Sequence, residues 1–132
     1  MGTKNRIKLG LITSILLHYF RNIFDDKNLY ITKLKAKRIA KKHPEIIHYI
    51  YGHNFQLLLD NTIATCSYHE DGIYNFIALI GNKYILYSIS HNNYYNELGT
   101  LFYIRKKQML KCYETIKFFN EKYKNDYLKE IN

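Results

Sequence analysis

The chain has 132 residues, of which 47% are hydrophobic and 16% aromatic, and its net charge is +9. This length suits a single domain, and the apolar content excludes an intrinsically disordered chain. A basic chain favours nucleic acid, an anionic membrane or an acidic protein as partner. Since lysine, isoleucine, tyrosine and asparagine are all read from AT-rich codons, the total charge alone does not choose among these partners.

The first predicted element is a helix over residues 5–24, in which apolar residues recur at helical spacing from Ile7 to Ile23. The apolar run at 9–17 imitates a signal peptide, but no small-x-small cleavage site follows it. The run is also shorter than the ~18 residues that would span a bilayer. We therefore expect a cytoplasmic protein that does not associate with membranes.

A short strand at 29–31 leads into a second predicted helix, which has Thr32 as its N-cap and ends before Pro44. Residues 27–44 contain seven basic residues and no acidic one, whereas 45–104 contain five acidic residues and one basic residue. A solvated helix face normally mixes both signs, so this block indicates an interaction surface. At about 100° per residue, the inward arc of this helix holds Ala36, Ile39, Ala40 and His43.

Two short helices are predicted at 45–51 and 54–59, and after them the periodicity changes to that of strands. Strands are predicted at 63–68, 73–80, 83–89 and 99–105, with Gly81 and Asn82 closing a hairpin that sets Phe76 opposite Tyr87. One hairpin face is aromatic, and the other holds Ile77, Leu79, Tyr84 and Leu86. One face packs on helices, and the other is either covered by the N-terminal helix or left open as an aromatic binding platform.

The last predicted element is an amphipathic helix over residues 107–130 with a lysine-rich outer face. The predicted fold class is α+β, with N-terminal helices, an antiparallel sheet of about four strands and a C-terminal closing helix in one domain, 1–132. Cys66 and Cys112 form no metal or redox spacing, so two buried reduced thiols are favoured over a disulfide.

Metal catalysis and glycine-rich phosphate loops have no support in the sequence, so no metal or cofactor is expected. The remaining residues suit RNA cleavage without a metal ion. In that reaction a base takes the ribose 2′-OH proton, a cation steadies the charged phosphorane and an acid protonates the leaving 5′-oxygen. The candidates are His43, His53, His91, Thr100, Tyr103 and Arg105.

Each candidate also has a purely structural interpretation. His43 can be a capping or core histidine, and His53 and His91 can be solvent-exposed loop residues. Thr100 is a good strand former on propensity alone. The predicted nucleic-acid contacts lie on the basic helix and at the start of the closing helix, and they are Lys33, Lys35, Lys37, Arg38, Lys41, Lys42, Tyr103, Lys106 and Lys107.

The order of elements over about residues 29–106 resembles the phage and mobile-element nuclease domains of the barnase, EndoU, colicin and RelE-like superfamily. His43-Pro44 is similar to the family's helix end, and Thr100 with Phe102 is similar to its last strand, although Leu101 departs from that pattern. Many members carry a His or Arg early in the basic helix, where this chain has Lys35 or Arg38. Within the resemblance, 1–28 is an N-terminal helix extension, 29–106 the core and 107–132 the C-terminal helix.

The resemblance implies a metal-independent endoribonuclease that acts as a toxin or phage effector, with RNA as substrate and a protein antitoxin or acidic protein as further partner. It implies His43 as base or acid, Arg105 or Arg38 as the phosphate-stabilising cation and Thr100 as a phosphate-orienting hydroxyl. The competing interpretation is a small phage-type nucleic-acid-binding or inhibitor protein that uses the basic helix 33–43 without cleaving. A membrane-surface protein anchored by residues 5–24 ranks last, because that segment lacks a lysine-rich polar face.

Overall fold

A β-hairpin that turns at Gly81 forms the centre of the fold. In the computed structural model its strands are β4 (Ile73–Ile80) and β5 (Lys83–His91), and they pair in the predicted register with Phe76 opposite Tyr87. Gly81 has a φ of 63°, a left-handed conformation that glycine adopts at little cost in a tight hairpin turn. The predicted hairpin is confirmed.

The hairpin belongs to a seven-stranded sheet. The structure describes residues 5–19, 26–66, 72–91 and 95–132. In spatial order the strands are β1 (Arg6–Leu11), β2 (Asn28–Thr32), β6 (Asn96–Tyr103), β5, β4, β3 (Thr62–Cys66) and β7 (Ile116–Phe118). The pair β2–β6 is parallel and the other neighbours are antiparallel. The mixed α and β class is confirmed, but the expected sheet of about four antiparallel strands is wrong.

Helices cover both faces of this sheet. The described helices are α1 (Ser14–Tyr19), α2 (Lys33–Lys42), α3 (His48–Tyr51), α4 (Gln56–Asp60), α5 (Lys106–Cys112) and α6 (Glu121–Ile131). As predicted, α2 ends before Pro44 and has Thr32 as its N-cap. The side-chain oxygen of Thr32 accepts the Lys35 backbone N–H at 3.1 Å. Among the described residues, no helix is long and apolar enough to cross a membrane.

The predicted first helix over 5–24 is wrong in its first half. Residues 6–11 form β1, which pairs with β2 along one edge of the sheet, and only 14–19 are helical; residues 20–25 lie outside the described ranges. The Gln56 side chain holds the end of β1, accepting the Leu11 N–H at 2.7 Å and donating to its carbonyl at 2.9 Å. Pairing with distant residues therefore overrides the local helical spacing.

The prediction of one continuous closing helix over 107–130 is also wrong. The helical segments α5 and α6 are separated by a 3-10 turn (Tyr113–Thr115) and by β7, which pairs with the edge of β3. The chain becomes helical again after Asn120, whose side chain accepts the Tyr123 backbone N–H at 3.0 Å. Without β7, the backbone N–H and C=O groups along this edge of β3 would lack hydrogen-bond partners. Pairing with β3 therefore outweighs a continuous helix.

The two faces of the sheet carry separate hydrophobic cores. On the first face, α1 to α4 pack over the aromatic side of the hairpin, including fully buried Phe76 and Tyr87. On the second face, α5 and α6 pack over Ile77 and Leu86, with Tyr127 of α6 completely buried. Of the two alternatives for a hairpin face, the aromatic face is therefore covered by helices and is not left open as a binding platform.

We expect Gln56→Ala to lower the free energy of unfolding by about 1–2 kcal/mol, because the variant loses both hydrogen bonds to Leu11. Chemical denaturation measures this change, and hydrogen exchange should show faster exchange of the β1 amides. Leu57→Ala, at an exposed position on the same helix, is the matched control. Equal effects of the two substitutions would contradict the assignment of residues 6–11 to an edge strand held by Gln56.

Candidate functional site

The second face of the sheet is polar where α5 and α6 do not cover it. Register pairing places Thr100, Ser88 and Asn75 side by side across β6, β5 and β4. The extra residue Gly99 creates a bulge beside them, and a Cβ at this position would lie 2.8 Å from the Ser88 hydroxyl oxygen. The bulge brings Thr100 into line with Ser88, and glycine leaves the space above the strands open.

These polar residues form the floor of a groove of about 650 Å³. Ser90 and Ile73 extend the floor at one end, and Phe102, Leu86 and Ile104 make its apolar end. One wall is formed by Lys35 of α2. The opposite wall is formed by three residues of α5, namely Gln108, Lys111 and Cys112. A concave site of this size, with apolar walls and a few convergent polar groups, is typical of ligand-binding sites.

Helix α2 runs along β6 and closes one side of the groove. At the start of the helix the Lys35 ammonium lies 3.5 Å from the carboxylate of Glu97, and at its end the His43 ring lies 5.9 Å from the Phe102 ring. Glu97 is 8% exposed, so Lys35 neutralises a buried carboxylate while it also lines the groove. The same ion pair joins α2 to β6.

His43 is not among the residues that line the groove, but its ring lies 5.9 Å from the ring of Phe102, which does line it. Its Nδ1 is 3.6 Å from the carboxylate of Glu45, and its side chain is 38% exposed. A carboxylate beside one ring nitrogen orients the imidazole and leaves the other nitrogen to exchange protons with a ligand. Of these two predicted site residues, Thr100 lines the groove and His43 adjoins it through Phe102.

Arg105 lies at the start of α5. It is the N-cap residue of α5 and is exposed. Because a strand advances about 3.3 Å per residue, Arg105 lies roughly 16 Å along the chain from Thr100. Thr100 lines the groove, and Arg105 is not among the residues that line it. Lys106 and Lys107, in the first turn of α5, are exposed and are not among the groove residues.

Three other candidates belong to the first face. His53 follows α3 in the helical layer that covers this face, and its side chain is exposed. Tyr103 is paired with Ile85 and packs against the first core; burial is the main reason that its pKa is raised. His91 Nδ1 lies 2.7 Å from the side-chain oxygen of Asn96. None of the three lines the groove on the opposite face.

The other cations of α2 point into solvent. Its buried residues are Ala36 and Ile39, in agreement with the predicted inward arc. The exposed cations are Lys33, Lys37, Arg38, Lys41 and Lys42. The ion pairs between residues that the structure describes are Lys35–Glu97 and His43–Glu45, so neither involves these five cations. They form a positive surface next to the groove, which we call the basic face of α2.

Several residues that line the groove are not among the site residues predicted from the sequence. Asn75, Ser88 and Ser90 alternate with buried residues of the hairpin, and the predicted hairpin register already places them on one face. That alternation was a usable signal, since polar residues inside apolar strands mark a surface that is left open. By contrast, no local pattern indicated Lys111, because it faces the groove only after α5 has docked.

Within the described part of the chain, no group of three or more His, Cys, Asp or Glu side chains could hold a metal ion. Comparison of the chain with protein-family models, with curated proteins and with solved structures finds no significant match. The shape, charge and chemistry of the groove are therefore the evidence for function.

We expect Lys35→Met to lower the free energy of unfolding by about 1–3 kcal/mol, because it removes the ammonium group that lies 3.5 Å from the buried Glu97 carboxylate. The matched control is Lys37→Met, an exposed lysine on the same helix, which should change stability little. Adding Glu97→Gln to Lys35→Met should recover part of the loss in urea unfolding. A double variant no more stable than Lys35→Met would show that the ion pair does not support α2.

Proposed function

We propose that this protein binds single-stranded RNA in the groove and cleaves it without a metal ion. The observation that carries the proposal is the polar row Thr100, Ser88 and Asn75, flanked by Lys35 and Lys111 on opposite walls. Hydroxyl and ammonium groups that converge on one space are suited to the non-bridging oxygens of a phosphodiester.

The chemistry requires a proton acceptor, a proton donor and a stabilised phosphorane. The 2′-oxygen loses its proton to a base and attacks phosphorus; the bond to the 5′-oxygen breaks as that oxygen gains a proton, giving a 2′,3′-cyclic phosphate and a 5′-hydroxyl. We assign one of the two proton transfers to His43, beside the apolar end of the groove. Lys35 and Lys111 replace Arg105 as the cations that stabilise the phosphorane, because they line the same groove as Thr100.

The basic face of α2 supports a longer nucleic-acid track outside the groove. Its five exposed cations can contact the phosphates that follow the bound segment. This surface also favours a second candidate function, a nucleic-acid-binding protein that does not cleave, since phosphate contact there needs no catalytic group. Action as a toxin or phage effector, with a protein antitoxin or acidic protein as partner, stays a prediction from the resemblance.

Incubation of the purified protein with labelled RNA in EDTA should yield products with 2′,3′-cyclic phosphate ends. His43→Ala should reduce the cleavage rate by about 10²–10⁴-fold, the usual contribution of a general acid or base, and Thr100→Ala should also reduce it. His53→Ala is the matched control, because His53 lies over the opposite face and should leave the rate unchanged. The corresponding DNA, which lacks the 2′-hydroxyl, should remain intact.

Bound but uncleaved RNA would contradict the nuclease and favour the non-cleaving alternative.

Either function requires salt-dependent binding. Replacing Lys33, Lys37 and Lys41 by Ala should weaken RNA binding and reduce the slope of log K against log salt by about 2, as expected for three lost contacts to a single strand. Equal replacement of Lys122, Lys124 and Lys129 on α6 is the control for total charge. The same loss in both variants would show that binding depends on net charge alone and not on α2.

A further inference from the structure

The second face of the sheet continues beyond the groove, toward the edge strand β1. Ser90 of the groove floor is paired with Glu97, and Glu97 is paired in turn with Tyr30 of β2. Tyr30 is opposite Lys8 of β1. Paired residues on neighbouring strands present their side chains to the same face, and the next residue, Ile31, is buried in the first core on the other face. This row of residues therefore extends the face that carries the groove.

Two aromatic rings hold a guanidinium group at this edge of the sheet. The central carbon of the Arg6 guanidinium lies 4.1 Å from the centre of the Tyr95 ring and 4.9 Å from that of the Tyr30 ring. The two rings meet edge to face, with their centres 6.1 Å apart. All three residues are partly exposed. Contact with the rings restricts the orientation of the guanidinium and leaves the N–H groups along its edge able to donate.

The positive charge at this edge is not balanced by the carboxylates around it. Arg6 forms no ion pair with any residue that the structure describes. Glu97 lies between Tyr30 and the groove, and Lys35 neutralises it at 3.5 Å. Lys8, opposite Tyr30, is exposed and adds a second positive charge. A planar fork of oriented donors in a region of surplus positive charge is suited to a phosphate group.

We propose that Arg6, held by Tyr30 and Tyr95, forms a second phosphate subsite, which binds a backbone phosphate of the RNA strand that leaves the groove at Ser90. This inference rests on the proposed function. Neighbouring strands lie about 4.8 Å apart, so Tyr30, two strands from Ser90, is roughly 10 Å away from it across the sheet. An extended single strand of a few nucleotides spans that distance. The subsite binds and orients the strand and takes no part in the proton transfers.

A purely structural role for Arg6 makes a different prediction. If its stacking only ties β1 to β2, its replacement lowers stability and leaves RNA affinity unchanged once the protein is folded. If Arg6 contacts a phosphate, its replacement lowers affinity only for strands long enough to reach it. The length of the RNA is therefore the variable that separates the two roles.

The test measures binding of labelled 2′-O-methyl oligouridylates of increasing length by fluorescence anisotropy, since the blocked 2′-oxygen prevents cleavage and leaves every phosphate in place. The affinity of the wild type should rise by roughly tenfold at the length that reaches Arg6, as for one hydrogen-bonded charge pair. Arg6→Gln should lack this step and should reduce the slope of log K against log salt by about 0.7 for the longer strands. The same step in both proteins, or a loss that is equal at every length, would overturn the subsite.

Further variants separate the guanidinium fork from charge and packing. Arg6→Lys keeps the charge without the fork and should restore only part of the step. Tyr30→Phe keeps the ring and should retain the step, whereas Tyr30→Ala should weaken it because the guanidinium is held less firmly. Urea unfolding checks that each variant is folded, and the two conservative variants keep the test valid if Arg6→Gln is not.

Lys83→Gln is the matched control for the loss of one cation from an aromatic ring. Lys83 is exposed at the hairpin turn, with its ammonium 5.1 Å from the centre of the Tyr103 ring, which packs on the first face. This variant should show the same length step as the wild type. Loss of the step in Lys83→Gln as well would show that the step reports net charge, and would overturn the assignment to Arg6.

The outcomes distinguish this inference from the proposed function. If the wild type cleaves RNA and Arg6→Gln shows the same length step, the function of the groove stands and the subsite fails. If the step depends on Arg6 and RNA remains intact, the subsite stands and the cleavage fails. If no strand binds, both fail. Calorimetric titration with inorganic phosphate tests a free anion instead: phosphate binding that depends on Arg6, without an RNA step that does, would overturn the assignment to RNA.

Discussion

A sheet with apolar side chains on both faces must be covered on both faces, and this requirement organises the molecule. The first face is apolar along its length and receives four helices. The second face is apolar only around Ile77, Leu86 and Ile104, and α5 and α6 cover that part. Helices gain little by burying Thr100 and Ser90, since polar groups removed from water need new hydrogen bonds. The groove therefore lies where the apolar surface of the second face ends.

The two walls of the groove are set by different interactions. Helix α2 lies beside β6 because Ala36 and Ile39 are buried in the first core and because Lys35 meets the buried Glu97. Helix α5 is held by its buried residues Met109 and Cys112 against β3 and α6. The two groove lysines thus depend on separate packing surfaces.

Much of the centre of the fold could be predicted from sequence, and the edges could not. The hairpin register follows from a two-residue turn between two apolar strands, and the start of α2 follows from Thr32. Strands β1 and β7 were missed because each lies at an edge, where pairing with a distant partner outweighs weak local preference. The candidate site was predicted in part: Thr100 and Lys35 line the groove and His43 adjoins it, whereas Arg105 and His53 lie elsewhere.

The sequence by itself determined the features that depend on a few neighbouring residues: the turn at Gly81, the cap at Thr32, the block of positive charge on α2 and the alternation that sorts the hairpin into two faces. Steric limits and hydrogen bonds within one or two turns of chain are enough to decide these. Only the tertiary structure decided that Thr100 aligns with Ser88 and that Lys111 of α5 lines the same groove. Those contacts depend on strand order, on one bulge and on the docking of α5, and none of these is encoded within a short stretch of chain.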